Sequence, residues 1–347
     1  MESMRVVTLG GDGELRLLAV DGTRSTGRRL VNAVRGAVFR SIDSTARAVL
    51  DRSTPVSGDA GTGYPVLHPT VGTALAAVVA SGDRATPEAL REYASRLALW
   101  VWSNPVGGGP PRLHLSTSAM DLLGVAEDHR DRVVHGPADF FTRVPALGDA
   151  VRHLDWLTAA DQERQLAVGR SAGSDRTDRV TRVADLGVVG DDGGRATVEA
   201  IEARLPSGDV LGMGWARPEL AYPSNLADAI CADSNARAAH VHIAIMDLRF
   251  PAAPYVLRWL GGPPEGIGHG FSTGQNNGIH PDDRDAVTSA IVEAATRPPT
   301  SPVPVSARVR ALTGGWMEVI AKAWFVDHRT APGIVAVSID CGSGPAV

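Results

Sequence analysis

The stretch GIHPDDRDAV, residues 278–287, decides the fold of the C-terminal part of this chain because it predicts where a helix begins. Pro281 suits the first helical position, where no amide donor is needed. Asp282 and Asp283 place negative charge at the positive end of the helix dipole. The pattern predicts a helix that ends at Pro298, with one apolar stripe that faces a core: Val287, Ile291 and Ala294.

Strands are predicted on both sides of this helix. Residues 303–312 and 316–326 alternate apolar and polar side chains, as half-buried antiparallel strands do. Residues 334–339 add a third strand after the helix, and residues 241–248 and 255–260 add two strands before it. The C-terminal part is therefore predicted to hold two strands, short helices and a three-strand meander.

The same order of elements occurs earlier in the chain. The two helix starts (Asp161 and Asp283) and the two Gly-Gly turns (Gly193 and Gly314) are offset by the same distance to within one residue. Such a repeated spacing indicates an internal duplication. The elements of the first copy are strands at 97–102 and 112–115, a short helix at 119–125, a helix from 157 to about 173, and strands at 179–189, 195–205 and 210–215.

The first 95 residues predict a small α/β unit. Two strands, residues 6–9 and 15–20, are joined by a tight turn at Gly10–Gly13, and residues 52–69 are predicted to be a loop. A long helix is predicted from about Ser25 to Leu50, and a further helical portion ends near Arg96. The apolar face of the long helix holds Leu30, Val34, Val38, Ile42, Ala46 and Val49, and its opposite arc holds Arg29, Arg40 and Arg47.

The duplicated pattern resembles PAS domains. In that family an H-P-D-D helix start precedes a meander with a G-G-aromatic turn, and the last strand ends in Asp. The matching residues here are His280, Pro281, Asp282 and Asp283, then Gly314, Gly315 and Trp316, and finally Asp340. The first copy departs from this motif, with Thr158, Ala159 and Arg195 in place of the His, the Pro and the aromatic residue. As a whole the chain resembles actinobacterial proteins with two PAS domains and no recognisable output domain.

The resemblance implies an α+β fold in which a small α/β N-terminal domain precedes two PAS-like domains. Each PAS-like domain would have a five-stranded antiparallel sheet with flanking short helices. The predicted bounds are 1–95 for the first domain, 96–217 and 239–347 for the PAS-like domains, and 218–238 for a linker helix capped by Ser224. Members of the family bind small ligands in a cleft or dimerise through the sheet.

Composition and charge exclude several function classes. A net charge of −5 is not that of a strongly basic nucleic-acid-binding protein, although 33 of the 34 basic residues are arginine and only Lys322 is lysine. The N-terminal residues have no signal-peptide pattern, and the best apolar run, residues 71–80, is about half the length that crosses a bilayer. We expect a cytoplasmic protein that contacts neither membrane nor nucleic acid.

Candidate cofactor ligands compete with simpler roles for the same residues. His240 and His242 would share one face of a strand, and His269 or His280 would be needed to complete a metal site. Solvent-exposed imidazoles explain this pair better, and helix capping explains His280. Cys231 and Cys341 do not match the cysteines of PAS photosensors, and the helix at 283–297 lacks a haem ligand. We expect no metal and no cofactor, with haem or flavin binding kept as an alternative.

No catalytic motif is present in the sequence. Gly10–Glu14 approaches the diguanylate cyclase signature but is more typical of a hairpin turn, and the ionisable residues Asp12, Glu14 and His68 have no spacing that connects them. An enzyme in the N-terminal domain, regulated by the PAS pair, is the other alternative. The leading hypothesis is a non-enzymatic sensory, signalling or scaffold protein that binds a small ligand, a protein partner or a second copy.

Two surfaces are candidate interfaces. Trp316 and Trp324 share one face of a strand with Glu318, Ile320 and Lys322, and such mixed aromatic faces occur at protein interfaces. The linker helix could equally cover them within the chain. The arc formed by Arg29, Arg40 and Arg47 could contact an anionic partner, although a solvated helix face is the commoner case.

Overall fold

The protein consists of two compact units. The computed structural model describes fifteen segments of the chain. The described residues are 3–59, 61–81, 86–103, 111–131, 134–144, 153, 156–157, 180–218, 235–236, 239–247, 255–267, 278–298, 301–311, 313–325 and 334–340. Unit 1 comprises residues 1–103, 114–133 and 155–221, and unit 2 comprises residues 104–113, 134–154 and 222–347.

The first sheet of unit 1 is fully antiparallel. Its strand order is β3-β2-β1-β6-β5-β4, and three helices accompany it. The strands are β1 (Arg5–Leu9), β2 (Leu15–Val20), β3 (Thr23–Arg24), β4 (Val56–Gly58), β5 (Gly61–Leu67) and β6 (Ala74–Ala80). The helices are α1 (Leu30–Ala33), α2 (Gly36–Arg52) and α3 (Pro87–Ser95).

The loop predicted for residues 52–69 is wrong, because β4 and β5 occupy most of it. Glycine and proline are rare in strand interiors, and β5 contains both, so its composition hides it. Pro65 is tolerated because β4 pairs only with Gly61–Gly63, so among the described residues no strand adjoins the edge of β5 beside Pro65. On its other edge Pro65 lies opposite Ala77 of β6.

The single long helix predicted from Ser25 to Leu50 is also wrong, since two helices occupy this range. Arg35 is extended and Gly36 has a φ of +67°, which breaks the helical path between α1 and α2. The predicted apolar face survives in α2, where Ile42, Ala46 and Val49 are buried against the first sheet. Val38 is 41% exposed and lies outside that face.

The second sheet lies in unit 1 except for the first two residues of one of its five strands, β8. Its strands are β7 (Ala98–Ser103), β8 (Arg112–Leu115), β9 (Thr181–Val189), β10 (Arg195–Arg204) and β11 (Val210–Ala216), in the order β8-β7-β11-β10-β9, and the helix α4 (Thr117–Leu122) accompanies them. Each strand lies within two residues of its predicted bounds. The turn between β9 and β10 contains Gly193, whose φ is +79°.

One apolar core joins the two sheets of unit 1. Val6, Leu18 and Val78 of the first sheet belong to the same buried cluster as Val101 and Ile201 of the second. The opposite face of the first sheet packs on α2, so this sheet is covered on both sides. Burial on both faces explains why β6 is a continuous apolar run in the sequence.

The sheet of unit 2 follows the C-terminal prediction closely. Its strand order is β13-β12-β16-β15-β14. The strands are β12 (His242–Asp247), β13 (Tyr255–Leu260), β14 (Val303–Arg310), β15 (Trp316–Phe325) and β16 (Ile334–Asp340). Unit 2 also contains the helices α5 (Pro137–Arg143) and α6 (Arg284–Thr296). The stripe Val287, Ile291 and Ala294 of α6 is buried against this sheet, as predicted.

The HPDD stretch joins α6 to the sheet of unit 2. Pro281–Asp283 form a 3-10 turn, and the His280 Nδ1 accepts a hydrogen bond of 3.2 Å from the Asp282 N–H. The Asp283 carboxylate accepts hydrogen bonds from the Arg308 N–H at 2.8 Å and from its guanidinium Nε at 2.9 Å and Nη2 at 2.8 Å. These bonds from the Arg308 guanidinium and backbone lower the pKa of Asp283 to about 2.

The fold is α+β, with three antiparallel sheets of five or six strands and few short helices, and it is consistent with PAS-like folds. Apart from the two-residue β3, all three sheets have the order second–first–fifth–fourth–third, so the first sheet repeats the order of the other two. The bounds of the predicted domains stay predictions. Most of the predicted linker helix, and residues 158–173 of the helix predicted from residue 157, lie outside the described residues.

We expect the Asp283→Asn variant to be less stable at pH 7 and to lose part of the acid sensitivity of unit 2. A depressed folded-state pKa gives stability above the unfolded value, near 3.8, that is lost as the pH falls towards 2. Chemical unfolding at pH 7 and pH 3 measures the effect. Asp285→Asn is the matched control, because Asp285 has no ion-pair partner among the described residues. Equal losses in both variants would contradict the role of Asp283.

Candidate functional site

Unit 1 contains an open cleft with a volume of about 550 Å³, which we call the histidine cleft. Its size is within the range of about 300–1,000 Å³ that is usual for small-molecule sites. Both sheets of unit 1 contribute to its lining. The polar residues that line it and matter below are His68, Thr70, Ser103, His114, Ser207 and Asp209.

The secondary structure explains why these side chains meet. His68 and Thr70 lie in the tight connection between β5 and β6, where the His68 N–H donates to the Thr73 carbonyl at 2.8 Å and Gly72 has a φ of +73°. Ser103 is the last residue of β7, and His114 lies on the neighbouring strand β8. The connection from the first sheet therefore faces a strand end of the second.

Four side chains of the cleft form one hydrogen-bonded chain. The Ser103 Oγ lies 3.1 Å from the His114 Nε2, and the His114 Nδ1 lies 3.2 Å from the Thr70 Oγ1. The Thr70 Oγ1 in turn lies 3.1 Å from the His68 Nδ1. The two imidazole rings meet edge to face with their centroids 4.8 Å apart. The chain thus links the first sheet to the second.

Two backbone N–H groups determine which atoms donate and which accept along this hydrogen-bonded chain. The N–H groups of Thr70 and Val71 point at the His68 Nδ1, at 3.1 Å and 3.4 Å. This nitrogen must therefore carry a lone pair, and the ring proton lies on Nε2. The Thr70 hydroxyl donates to the same nitrogen, because two facing lone pairs 3.1 Å apart would repel each other.

The remaining bonds follow from that direction. With its proton donated to His68, the Thr70 oxygen accepts the proton of the His114 Nδ1. In the neutral form of His114 the Nε2 then carries a lone pair, to which the Ser103 hydroxyl donates. His68 and a neutral His114 have opposite tautomers. Burial lowers the pKa of His68, against an opposing influence of Asp209, which favours the neutral ring.

The chemistry of this arrangement is that of oriented donors and acceptors. The Ser103 oxygen, whose proton is donated to His114, has lone pairs that can accept a hydrogen bond from a ligand donor. The same Ser–His pair is the first half of a nucleophile–base arrangement. Asp209 lies beside the cleft and accepts a hydrogen bond from the Ser207 hydroxyl at 2.9 Å. The described residues contain no group of three or more His, Cys, Asp or Glu side chains that could hold a metal ion.

Two of the three arginines predicted to form a candidate interface have carboxylate partners in the structure. Arg29 contacts Asp12 at 3.2 Å, and Arg47 pairs with Asp43 one turn away on α2 at 3.2 Å. Burial would raise the pKa of Asp12, but the guanidinium groups of Arg16 and Arg29 and the Glu14 N–H lower it overall. Arg40 is exposed on α2. Two of the three charges are thus already compensated within the chain.

The tryptophan face lies on the outer side of the sheet of unit 2. The Trp316 ring is half-buried because His280 meets it edge to face, with centroids 4.7 Å apart, and the Arg310 guanidinium lies 5.0 Å from its centre. Trp324 is also half-buried. Between them Glu318, Ile320 and Lys322 are exposed, and Ile320 has 55% of its surface accessible.

The other predicted site residues that the structure describes lie in turns or at the ends of strands. Gly314 and Gly315 form the turn before β15 with φ values of +94° and +78°, and Asp340 is the last residue of β16. His240 and His242 do not share a strand as predicted: β12 begins at His242, and His240 precedes it with a φ of +50°. The His242 Nδ1 lies 3.1 Å from the Gly262 carbonyl oxygen. His269, Cys231 and Cys341 lie outside the described residues.

Sequence reasoning found only one member of the histidine cleft. His68 was named as an ionisable residue, whereas Ser103 and His114 were not singled out as functional. Ser103 and His114 lie on neighbouring strands that are joined by residues 104–111, and His68 lies on a different sheet. The one available signal was the polar His114 within the strand Arg-Leu-His-Leu, whose leucines face the core.

The comparisons with known proteins support the fold alone. No family model and no curated protein matches the chain. The solved structure of an uncharacterised protein from Mycobacterium tuberculosis is 14% identical, covers 97% of this chain and 95% of its own, and superposes with a TM-score of 0.62. At this identity the likeness shows a shared fold and no function.

Two further solved structures are similar at a much lower level. A sensory box histidine kinase/response regulator from Burkholderia thailandensis is 18% identical over 33% of this chain and 83% of its own. An RNA-binding light-oxygen-voltage receptor is 12% identical over 71% of this chain and 95% of its own. Both have a TM-score of 0.22, which is too low for any conclusion about this chain. No helix among the described residues is long and apolar enough to span a membrane.

We expect ¹⁵N NMR to detect the proton of His68 on Nε2 and that of His114 on Nδ1. In the Thr70→Val variant His114 should lose its fixed tautomer, because the hydroxyl that accepts its proton is gone. The variant should also lose about 1–2 kcal/mol of stability, because the Thr70 hydroxyl makes two hydrogen bonds and one of them is exposed. Thr73→Val is the matched control, since Thr73 lines the cleft outside the chain of hydrogen bonds. A His68 proton on Nδ1 would contradict the direction of that chain.

Proposed function

We propose that this chain is a non-enzymatic sensory, signalling or scaffold protein that responds to a small ligand in the histidine cleft. The observation that carries the proposal is the hydrogen-bonded chain from Ser103 to His68, which gives an open cleft oriented donors and acceptors. The PAS-like character of the three sheets supports a ligand-responsive role, because the family resemblance implies clefts that bind small molecules.

The cleft is suited to turn ligand binding into a change of shape. Thr70 belongs to the connection between β5 and β6, and His114 belongs to β8, so their hydrogen bond joins the two sheets of unit 1. A ligand that takes over the Thr70 hydroxyl would replace this bond. It would therefore favour one arrangement of the two sheets over another, which is what a ligand-driven response requires.

The proposed output is a contact with a protein partner or with a second copy of the chain. The candidate surface is the tryptophan face of unit 2, where exposed Glu318, Ile320 and Lys322 lie between Trp316 and Trp324. An exposed apolar side chain among charged neighbours and half-buried aromatics resembles the composition of protein interfaces. No nucleic acid and no membrane is part of this proposal.

We expect a fragment set with equal numbers of cationic, neutral and anionic members to contain ligands of the histidine cleft. Binding should shift the ¹³C and ¹⁵N signals of His68 and His114 together, because the two rings belong to one hydrogen-bonded chain. His129, a half-buried residue of unit 1 outside the cleft, is the internal control. If no fragment shifts the two cleft histidines, the proposed ligand site does not exist.

The Ser103–His114 pair favours a second candidate function, acyl transfer by an enzyme in the N-terminal part. In that reaction the Ser103 oxygen would attack a carbonyl carbon and pass its proton to the His114 Nε2. The leaving group would depart with that proton, and water would then release the acyl group. Catalytic triads use a carboxylate to stabilise the charged imidazole. Here the uncharged Thr70 hydroxyl takes that position, so we favour binding over catalysis.

A fluorophosphonate probe separates the two functions. We expect no labelling of Ser103 in the intact protein, because a neutral hydroxyl chain gives little stabilisation to the imidazolium that the reaction forms. Mass spectrometry after incubation measures the labelling, with Ser103→Ala and Ser207→Ala as the variants. Labelling that disappears in Ser103→Ala but persists in Ser207→Ala would replace the sensory proposal with the enzymatic one.

A further inference from the structure

We infer that the histidine cleft binds an organic ammonium compound with an apolar body and a neutral oxygen acceptor. This inference rests on the proposed function, since it names the chemical class of the ligand. It does not follow from the PAS resemblance, which leaves the ligand open. The observations that carry it are the charges in the lining of the cleft, the protonation of His68 and the accessible N–H group of that ring.

The charged side chains of the lining are carboxylates. Asp51 and Asp209 both line the cleft, and its lining among the described residues contains no arginine or lysine. This is unusual for a chain with 33 arginines, several of which pair with carboxylates elsewhere in the structure. Neither Asp51 nor Asp209 has an ion-pair partner in the part of the chain that the structure describes. Asp209 accepts a hydrogen bond from the Ser207 hydroxyl, which leaves its charge uncompensated.

The histidines cannot fully compensate this negative charge. A proton on the His68 Nδ1 would face the N–H groups of Thr70 and Val71, so the ring stays neutral there. His114 can contribute at most one positive charge, whereas the lining contains two carboxylates. The lining therefore has a formal charge that favours a cation and disfavours a carboxylate or phosphate ligand.

A metal ion does not fit this site as well as an organic cation. In the described part of the chain, which includes the cleft, no group of three or more His, Cys, Asp or Glu side chains is placed so that it could hold one metal ion. Its apolar lining is extensive instead and consists of Leu9, Leu50, Val71, Ala74, Leu75, Leu205 and Pro206. Carboxylates beside such a wall suit a molecule that joins an ammonium group to a hydrophobic body.

The second polar feature is the Nε2–H group of His68. His68 is only 8% exposed and lines the cleft, and the hydrogen bonds that its ring makes with Thr70 and Val71 all involve Nδ1. The Nε2 atom is not one of the buried side-chain nitrogens, so its N–H group is accessible to a ligand. An ether or hydroxyl oxygen of the ligand can accept a hydrogen bond from it without adding negative charge.

Three probes that share one benzyl group test the charge preference. These are phenylalaninol, with an ammonium group, 3-phenylpropane-1,2-diol, which is neutral, and 3-phenyllactate, with a carboxylate. We expect phenylalaninol to bind most tightly and 3-phenyllactate least tightly, as measured by the shifts of the His68 and His114 signals. Raising the salt concentration should weaken the binding of phenylalaninol and leave that of the diol unchanged.

Two variants show whether the carboxylates cause the preference. Asp209→Asn should weaken the binding of phenylalaninol about two- to fivefold, the effect of one partly exposed ion pair, and should leave the binding of the diol unchanged. Asp51→Asn should act in the same direction. Asp59→Asn is the matched control, because Asp59 is an exposed carboxylate in the same unit outside the cleft.

The outcomes distinguish this inference from the proposed function. Equal or tighter binding of the diol or of 3-phenyllactate overturns the ammonium preference and leaves the histidine cleft a ligand site. An unchanged affinity for phenylalaninol in both cleft variants overturns it in the same way. If none of the three probes shifts the cleft histidines, the inference fails, and the charge-balanced fragment set then decides separately whether the cleft binds any ligand.

Discussion

The apolar core that the two sheets of unit 1 share is the constraint on which the histidine cleft depends. Val6, Leu18 and Val78 from one sheet and Val101 and Ile201 from the other are buried in a single cluster. Burial of this kind is non-directional, so it holds the sheets together without specifying polar contacts. The cleft lies where this apolar packing ends. There, polar side chains from both sides of unit 1 line an open space.

Within the cleft, direction comes from the backbone. Side-chain hydroxyls and imidazoles can each donate or accept, so a chain of them alone has two equivalent directions. The two N–H groups of Thr70 and Val71 remove that freedom, because a backbone N–H can only donate. The tight connection between β5 and β6 thereby determines that the Nδ1 of His114, on the other sheet, carries a proton. This combination of apolar packing and fixed backbone donors is what makes the cleft a defined site.

How well the fold could be predicted depended on the pattern of buried and exposed side chains in each strand and on its local composition. Strands with alternating burial, such as β14 and β15, and helix starts with specific chemistry, such as Pro281–Asp283, were found close to their true bounds. The strands β4 and β5 were missed because their glycines and Pro65 are the residues of turns. The helix break at Gly36 was missed because a regular apolar pattern continues across it.

The cleft was less predictable than the fold for a different reason. His68, Ser103 and His114 are far apart in the sequence, and their meeting depends on the pairing of β7 with β8 and on the packing of one sheet against the other. Local periodicity contains neither piece of information. The HPDD stretch, by contrast, could be interpreted from the sequence because its capping roles are local, although the ion pair between Asp283 and Arg308 is not.

The arginine-rich composition has a practical consequence for the surface of unit 2. Lys322 provides the chain's sole side-chain amine, and it is exposed on the tryptophan face beside Ile320. Any acylating reagent or cross-linker that is specific for side-chain amines will therefore modify this protein only at Lys322. Lys322 lies within the surface that would contact a partner, so its reactivity reports whether that surface is covered.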